Sequence, residues 1–233
     1  MSRILGKYLD EEHRSSFVIG ARDVLPILTG IVPFGIIVGL TAAEFGFTSV
    51  EITVMSAIVF AGASQLAAIA LMADGTPFVV VLLTAILINV RFSLYSVSLA
   101  PYVRSLSKLR KAVYSCLLVD VTYALSIPRY QEHEALRTHW YYLGSGTVLW
   151  ISWVAGTALG AGVGIGIPEW FPAGLVLPLV FLALLFPLLR DRPTVATAVV
   201  AGGVATATAP LDYNLGLLVG VLAGLAVGVY LNR

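Results

Sequence analysis

The chain has 233 residues, of which 58% are hydrophobic and 12% are charged, and its formal net charge is +1. Soluble domains carry about 25% charged residues, so this composition excludes an ordinary soluble protein and indicates a polytopic membrane protein. The near-neutral charge excludes a global basic field for binding nucleic acid. The single cysteine, Cys116, cannot form an internal disulfide, and we expect it to be a small core residue.

Apolar segments joined by short connections follow one another along the chain. About 20 apolar residues cross the hydrocarbon core as a helix, whereas barrel strands are shorter and alternate in polarity. The segments lie at 24–43, 50–73, 76–100, 112–127, 140–162, 173–189, 194–209 and 214–231. We therefore predict an all-α fold, a transmembrane helix bundle of seven or eight spans. Residues 1–16 would form a cytoplasmic N-terminal segment, and residues 17–233 a single transmembrane domain.

The distribution of basic residues gives a conflicting topology. Basic loops favour the cytoplasmic side, and the N-terminal region carries Arg3, Lys7, Arg14 and Arg22. Eight complete crossings would nevertheless place the most basic loop outside, and this loop contains Arg104, Lys108, Arg110 and Lys111. A broken or re-entrant segment before that loop would remove the conflict. We expect such breaks around the polar interruptions at residues 60–65 and 89–91.

In the first segment, a proline lies between glycines, in Gly30-Ile31-Val32-Pro33-Phe34-Gly35. Pro33 removes a backbone donor and is expected to kink the helix. A kink beside a polar site can act as a gate, and a purely structural kink is equally compatible with the sequence.

The second segment is interrupted by the run Phe60-Ala61-Gly62-Ala63-Ser64-Gln65. Small residues permit local unwinding, and an unwound turn exposes backbone groups that can bind the carboxylate and ammonium of a zwitterion. Ser64 and Gln65 add side-chain donors and acceptors. The alternative interpretation is a packing seam of small residues, in which the serine hydroxyl bonds to its own helix.

Asn89 and Arg91 interrupt the third segment, and a charge at membrane depth costs about 3 kcal/mol on insertion scales. Two residues apart, they do not share one helical face. Arg91 can bind a substrate carboxylate bidentately or act in gating, pair with Asp120 in the fourth segment, or extend to the interface. Asp120 in turn is a candidate for proton coupling or amine binding, or a fixed counter-ion.

Glycines recur every four residues in two later segments, at Gly156, Gly160 and Gly164 and at Gly216, Gly220, Gly224 and Gly228. This spacing lets helices approach closely. The partner helix can belong to the same bundle or to another subunit.

Sequence motifs of several enzyme classes are absent from the chain. The sequence contains no G-x-x-x-x-G-K-[ST], no H-E-x-x-H and no G-x-S-x-G, which are motifs of nucleotide, metalloprotease and hydrolase sites. The histidines His13, His133 and His139 fall in polar segments and suggest no metal cluster. We therefore expect no enzymatic activity, no metal and no cofactor.

Together these motifs resemble the AzlC family, the large subunits of branched-chain amino acid permeases. The resemblance runs from about Phe17 to Arg129. It rests on Gly30-x-x-Pro33-Phe34-Gly35, the run from Phe60 to Gln65, Asn89-x-Arg91 followed by Leu94 and Leu99-Ala100-Pro101, and Asp120. It implies export of branched-chain amino acids, with a small membrane subunit of the AzlD type as partner. Where the family often has a second acidic residue after Asp120, this chain has Val121, which argues against a relay of two carboxylates.

We expect a secondary exporter in the cell membrane, with a site near the bilayer midplane among the first four segments. The polar end of a hydrophobic amino acid would be held by Gly62, Ala63, Ser64, Gln65, Asn89 and Arg91. Its side chain would lie in a pocket lined by Phe34, Phe60 and Tyr123, with Asp120 in coupling and Pro33 as the kink. The alternatives are a passive channel or pore, and a structural membrane subunit of a larger transporter.

Overall fold

The computed structural model describes residues 14–132, 135–164, 185, 189, 191–211 and 215–231. This part of the chain is helical and contains no strand, which confirms the all-α prediction for the described residues. Most of the predicted segment at 173–189 and the N-terminal residues 1–13 lie outside it. The helices are α1 (14–23), α2 (Leu25–Glu44), α3 (Ser49–Val59), α4 (Gly62–Ala73), α5 (Phe78–Val103), α6 (Lys108–Cys116), α7 (Asp120–Glu132), α8 (Ala135–Gly164), α9 (Arg192–Ala207) and α10 (Leu215–Leu231).

Three of the described helices are long and apolar enough to cross a membrane, at Leu25–Glu44, Phe78–Val103 and Thr138–Gly164. Two of them, α2 and α8, form the central pair and run in the same direction. Their backbones touch at glycines, since a Cβ on Gly39 would overlap Thr157 of α8 and a Cβ on Gly160 would overlap Ile36 of α2. Here the glycine ladder of α8 serves packing within the bundle, because only glycine lets the two backbones approach this closely.

The segment predicted to cross at 50–73 is a hairpin of two short helices. It starts where α2 ends, and the indole Nε1 of Trp150, in the middle of α8, donates to the carbonyl of Ala57 at 3.0 Å. The chain then breaks at Phe60, which has a left-handed φ of 38°, and Ala61. Helix α4 returns along α5 to the end of the bundle from which α3 came. At about 1.5 Å per residue, each arm spans about half of a 30 Å hydrocarbon core.

Helix α5 is continuous from Phe78 to Val103, so the predicted break around residues 89–91 is wrong. The predicted break around 60–65 is confirmed at its first two residues, whereas Ser64 and Gln65 already belong to α4. The difference has a physical reason: the polar side chains of Asn89 and Arg91 find partners on neighbouring helices, so the backbone of α5 keeps its own hydrogen bonds.

A second hairpin, formed by α6 and α7, enters from the opposite end, and the sequence did not predict it. The predicted span at 112–127 breaks at residues 117–119. There the Thr122 hydroxyl accepts from the Val119 N–H at 2.9 Å and donates to the Leu117 carbonyl at 2.8 Å. Tyr130 near the end of α7 stacks on Tyr102 near the end of α5, with ring centroids 4.7 Å apart. Helix α7 therefore runs parallel to α5 and returns to the end at which α6 began.

The α3–α4 hairpin explains the topological conflict in the sequence. Because the α3–α4 hairpin does not cross the bundle, α2 begins and α5 ends at the same end, which we call the basic end. Arg22 precedes α2 there, and the loop with Arg104 follows α5. Glu44 and Asp74 lie at the other end, where α2 and α4 finish. The total of seven or eight spans stays a prediction.

Helices α9 and α10 form an antiparallel pair near the C-terminus of the chain. A Cβ on Gly220 would lie 2.6 Å from the Ala205 Cβ, and one on Gly224 would lie 2.8 Å from the Ala201 Cβ. The glycines at these positions of α10 therefore accommodate α9 of the same chain, as the packing interpretation of the ladder predicts.

Candidate functional site

The tips of the two hairpins reach the same level of the bundle from opposite ends. Asn89 of α5 contacts the first turn of α4, and Arg91 contacts the first residue of α7. Two residues along a helix span about 3 Å, so the two contacts lie at one depth. Helices α4 and α7 both begin at this depth. The N-terminus of a helix carries a partial positive charge. The level is therefore polar although it lies midway along α5.

The first polar group at this level is the amide cluster, which consists of Ser56, Ser64, Gln65 and Asn89. Gln65 is fully buried, and its Nε2 donates to the Ser56 hydroxyl at 2.7 Å. Asn89 Nδ2 donates to the Ser64 hydroxyl at 2.9 Å, and this hydroxyl donates to the Ala61 carbonyl at 3.0 Å. Gln65 Oε1 and Asn89 Oδ1 are buried and have no hydrogen-bond partner. Two acceptors at this level thus remain for a water or a solute.

Aromatic side chains close the amide cluster toward α2 and α8. The rings of Phe34 and Trp153 lie 5.4 Å apart, and a Cβ on Gly62 would come within 2.7 Å of both. Phe60 is buried at the hairpin tip, and Ala63 is half-buried in the first turn of α4. Pro33 is exposed on α2, and the helix continues on both sides of it. The small residues here have a packing role that is visible in the structure, in addition to the binding role predicted for them.

The second polar group is the ion-pair cluster, which consists of Arg91, Tyr95, Asp120 and Tyr123. Arg91 Nη2 lies 3.1 Å from Asp120 Oδ2, and the Tyr95 hydroxyl donates to Asp120 Oδ1 at 2.8 Å. The ring of Tyr95 stacks on Tyr123 at 4.3 Å, and the Tyr123 hydroxyl donates to Ser98 at 3.0 Å. The side chains of Arg91 and Asp120 are 39% and 46% exposed, and Arg91 Nε has no partner. Both charged side chains are therefore partly exposed on the described part of the chain, whereas the Arg91 Nε atom is buried.

The structure divides the predicted site between two faces of α5. Asn89 points to α4 and Arg91 points to α7, as their spacing of two residues predicts. Of the predicted pocket residues, Phe34 and Phe60 lie beside the tip of α3 and α4. Tyr123 instead belongs to the ion-pair cluster, so the contacts of the described residues do not join these three side chains in one pocket.

Sequence reasoning missed several residues that position the site. Tyr95 was detectable, because it follows Arg91 by one helical turn and therefore shares its face. Trp150 and Trp153 looked like ordinary apolar residues of α8, and only the fold brings them to the tip of α3 and α4. A separate ion pair, with Arg129 Nη2 at 2.9 Å from Asp23 Oδ2, joins α7 to α1 across 106 positions, and no local pattern indicates it.

The side chains of the site can bind charged groups of a solute. No metal centre is visible in the described part of the chain. Among the residues that the structure describes, no group of three or more His, Cys, Asp or Glu side chains could hold a metal ion. The guanidinium of Arg91 matches a carboxylate, since its N–H groups form a fixed fork, and the carboxylate of Asp120 matches an ammonium group. Such a pair can hold both charges of a zwitterion at mid-bundle.

Comparison with known proteins gives one family match and two similar chains. Residues 26–167 match the family described as AzlC protein. The chain is 30% identical over 221 residues to the inner membrane protein YgaZ of Escherichia coli, covering 92% of this chain and 88% of that protein. It is 32% identical over 205 residues to an uncharacterized membrane protein of Archaeoglobus fulgidus, covering 85% and 88%. No solved structure matches the chain.

Proposed function

Because the chain belongs to the AzlC family of membrane proteins, we propose that it is a secondary transporter that exports branched-chain amino acids across the cell membrane. The family resemblance supports the substrate class and the direction. One structural observation carries the proposal for the site, namely the accessible ion pair of Arg91 and Asp120 at mid-bundle. A charged pair at membrane depth is costly and usually serves a pathway for a solute or ion.

A free amino acid carries the two charges that this ion pair can bind. Its carboxylate would take the Arg91 guanidinium in place of Asp120, and its ammonium would take the carboxylate of Asp120. The stacked rings of Tyr95 and Tyr123 would pack against its apolar side chain. Each protein charge would exchange one partner for another, which avoids the large cost of leaving a charge unpaired in a poorly hydrated place.

The amide cluster would supply further contacts at the same level. Gln65 Oε1 and Asn89 Oδ1 are free to accept hydrogen bonds. Gly62, Ala63 and Ser64 form the first turn of α4, directly after the break between two half-helices, and transporters use such breaks at their binding sites. Phe34 and Phe60 would border this part of the site on its apolar side.

Asp120 is our candidate for coupling export to a proton gradient, because it is the carboxylate of the ion-pair cluster and lies at a hairpin tip. We place the basic end of the bundle in the cytoplasm, following the preference of Lys and Arg for cytoplasmic loops. The N-terminus would then also lie in the cytoplasm, and amino acids would leave toward the end that carries Glu44 and Asp74.

A small membrane subunit of the AzlD type is the partner that the family resemblance implies. The outward face of α5 is apolar, with Leu82, Ile86, Val90 and Leu94 exposed on the chain. Such a face suits lipid and suits a helix of another subunit. Co-purification of the two proteins from a common membrane tests this part of the proposal, and a chain that transports alone would contradict an obligatory partner.

The experiment that tests the function is export of leucine, isoleucine, valine and methionine from cells with and without the protein. We expect faster loss of preloaded leucine and resistance to a toxic leucine analogue in cells that contain it. Equal efflux of all four amino acids from both kinds of cell would contradict the proposal. Export against a concentration gradient in vesicles would distinguish a secondary transporter from a passive pore. Loss of export in site variants would distinguish both of these from a structural subunit.

A further inference from the structure

A cavity of about 570 Å³ lies between the second half of α5 and the α6–α7 hairpin. Its volume falls within the range of about 300–1,000 Å³ that is usual for sites of small molecules. Its walls include Ser96, Ala100, Pro101, Ser115 and Leu118. Both polar and apolar groups therefore line it, as a zwitterion with a hydrophobic side chain requires.

The cavity extends from the basic end of the bundle toward the level of the ion-pair cluster. At the outer end its lining includes Arg104 and Lys111, which belong to the loop after α5 and to α6. At the inner end its lining includes Ser96, the neighbour of Tyr95, and Leu118, two positions before Asp120. Arg91 and Asp120 do not themselves line the cavity, so a solute that enters between the basic residues would pass Ser96 and Leu118 before it meets the ion pair.

The charges at the mouth suit the carboxylate of an incoming amino acid. Lys111 Nζ donates to the Arg104 carbonyl at 2.9 Å, which holds the ammonium at the rim and leaves the Arg104 side chain exposed. A branched-chain amino acid has no net charge at neutral pH, so these cations would orient it with its carboxylate toward the rim rather than concentrate it. The acidic groups Glu44 and Asp74 lie at the other end of the bundle.

We propose that this cavity is the water-filled entry chamber through which amino acids from the basic end reach Arg91 and Asp120. The inference rests on the proposed function for the identity of the solute. One wall of the chamber is α5, which is anchored through α4. The other wall is α6. Its Tyr114 stacks on Tyr142 of α8, and this contact attaches α6 to the bundle.

Cysteine accessibility tests the chamber. Cys116 is exposed and is not the core residue that the sequence predicted, so the test uses a Cys116→Ala background. There Ser96→Cys and Ser115→Cys are treated with a charged, membrane-impermeant thiol reagent. We expect both to react when the reagent meets the basic end, and to lose this reaction when it meets the other end. The matched control is Ile86→Cys, an exposed position of α5 outside the cavity, which should stay unlabelled from both sides because lipid or protein covers it. Leucine should slow the labelling of Ser96→Cys, whereas a sugar at equal concentration should not.

Two results would overturn the chamber. One is absence of labelling at both serine positions from the basic end, which would mean that lipid or protein fills the cavity. The other is labelling that none of the four amino acids slows. Filling the space gives a second test: Ala100→Trp should lose most export, while Leu159→Trp, at an exposed position of α8 outside the cavity, should keep it. Full export by Ala100→Trp would also overturn the proposal. Export by the unmodified protein is measured in parallel, so failure of the chamber and failure of the proposed function give different results.

Discussion

The guanidinium of Arg91 lies 3.1 Å from the carboxylate of Asp120 and joins the middle of α5 to the tip of the α6–α7 hairpin. The two residues are 29 positions apart, and each stands alone as a charge in its apolar segment. Their contact fixes the hairpin tip at mid-bundle and creates an accessible pair of opposite charges. The first two predictions test whether this pair has a role in transport beyond structure.

Replacing Arg91 with alanine removes the cation proposed to hold the substrate carboxylate. A hydrogen bond to a charged group contributes about 1.5–3 kcal/mol, so Arg91→Ala should weaken transport of leucine by about 10- to 100-fold. The measurement is leucine efflux together with resistance to a toxic leucine analogue. Arg129→Ala is the matched control, because it breaks the similarly exposed ion pair with Asp23 away from the proposed site. Undiminished export by Arg91→Ala, at normal amounts in the membrane, would remove Arg91 from the site.

Asp120→Asn keeps the shape of the side chain and removes its charge. If Asp120 carries the coupling proton, the variant should lose uphill export of leucine under an imposed pH gradient. Its hydrogen bond with the Tyr95 hydroxyl can persist, so folding should be retained. Uphill export is measured in inverted vesicles, with the thermal unfolding midpoint in detergent as the control for a folded protein, because Asp120 is also the proposed ligand of the substrate ammonium. A variant that still exports uphill would argue against coupling through Asp120, and a protein that never moves leucine uphill would favour a passive pore.

Gly160→Ala should destabilise the central helix pair. A Cβ at this position would overlap the Ile36 backbone of α2, which cannot move aside as a flexible side chain can. Overpacking of this kind costs about 1–3 kcal/mol. The control is Gly162→Ala in the same helix, where a Cβ would meet nothing within 4 Å. The thermal unfolding midpoint in detergent should fall for Gly160→Ala alone, and equal midpoints for the two variants would contradict the close approach of α2 and α8.

The re-entrant hairpins predict which loops share a side of the membrane. Residue 105, in the loop between α5 and α6, should lie on the same side as Arg14, and the loops with Gly46 and Gly75 should lie on the opposite side. Single cysteines placed at these four positions in the Cys116→Ala background can be labelled from either face of sealed vesicles. If α3 and α4 crossed as one span, Gly46 and Gly75 would react from opposite faces, and this result would contradict the fold.

Local sequence located most of the polar residues of the site because a polar atom inside an apolar segment stands out wherever the fold places it. Gln65, Asn89, Arg91 and Asp120 were all found in this way, and the break near Phe60 followed from its run of small residues. The break before Asp120 was missed because residues 116–121 contain neither glycine nor proline. There the turn depends on the Thr122 hydroxyl, which replaces backbone hydrogen bonds.

The sequence by itself determined that this is an all-helical membrane protein of the AzlC family and which side chains are expensive to bury. Hydropathy measures how well a segment tolerates an apolar medium, and that tolerance is the same for a helix that crosses and for two half-helices that turn back. Tertiary structure therefore decided that residues 49–73 and 108–132 return to the ends from which they came. It also decided that Asn89 and Arg91 serve different clusters, because the partner of each side chain is set by the helix that packs on that face of α5.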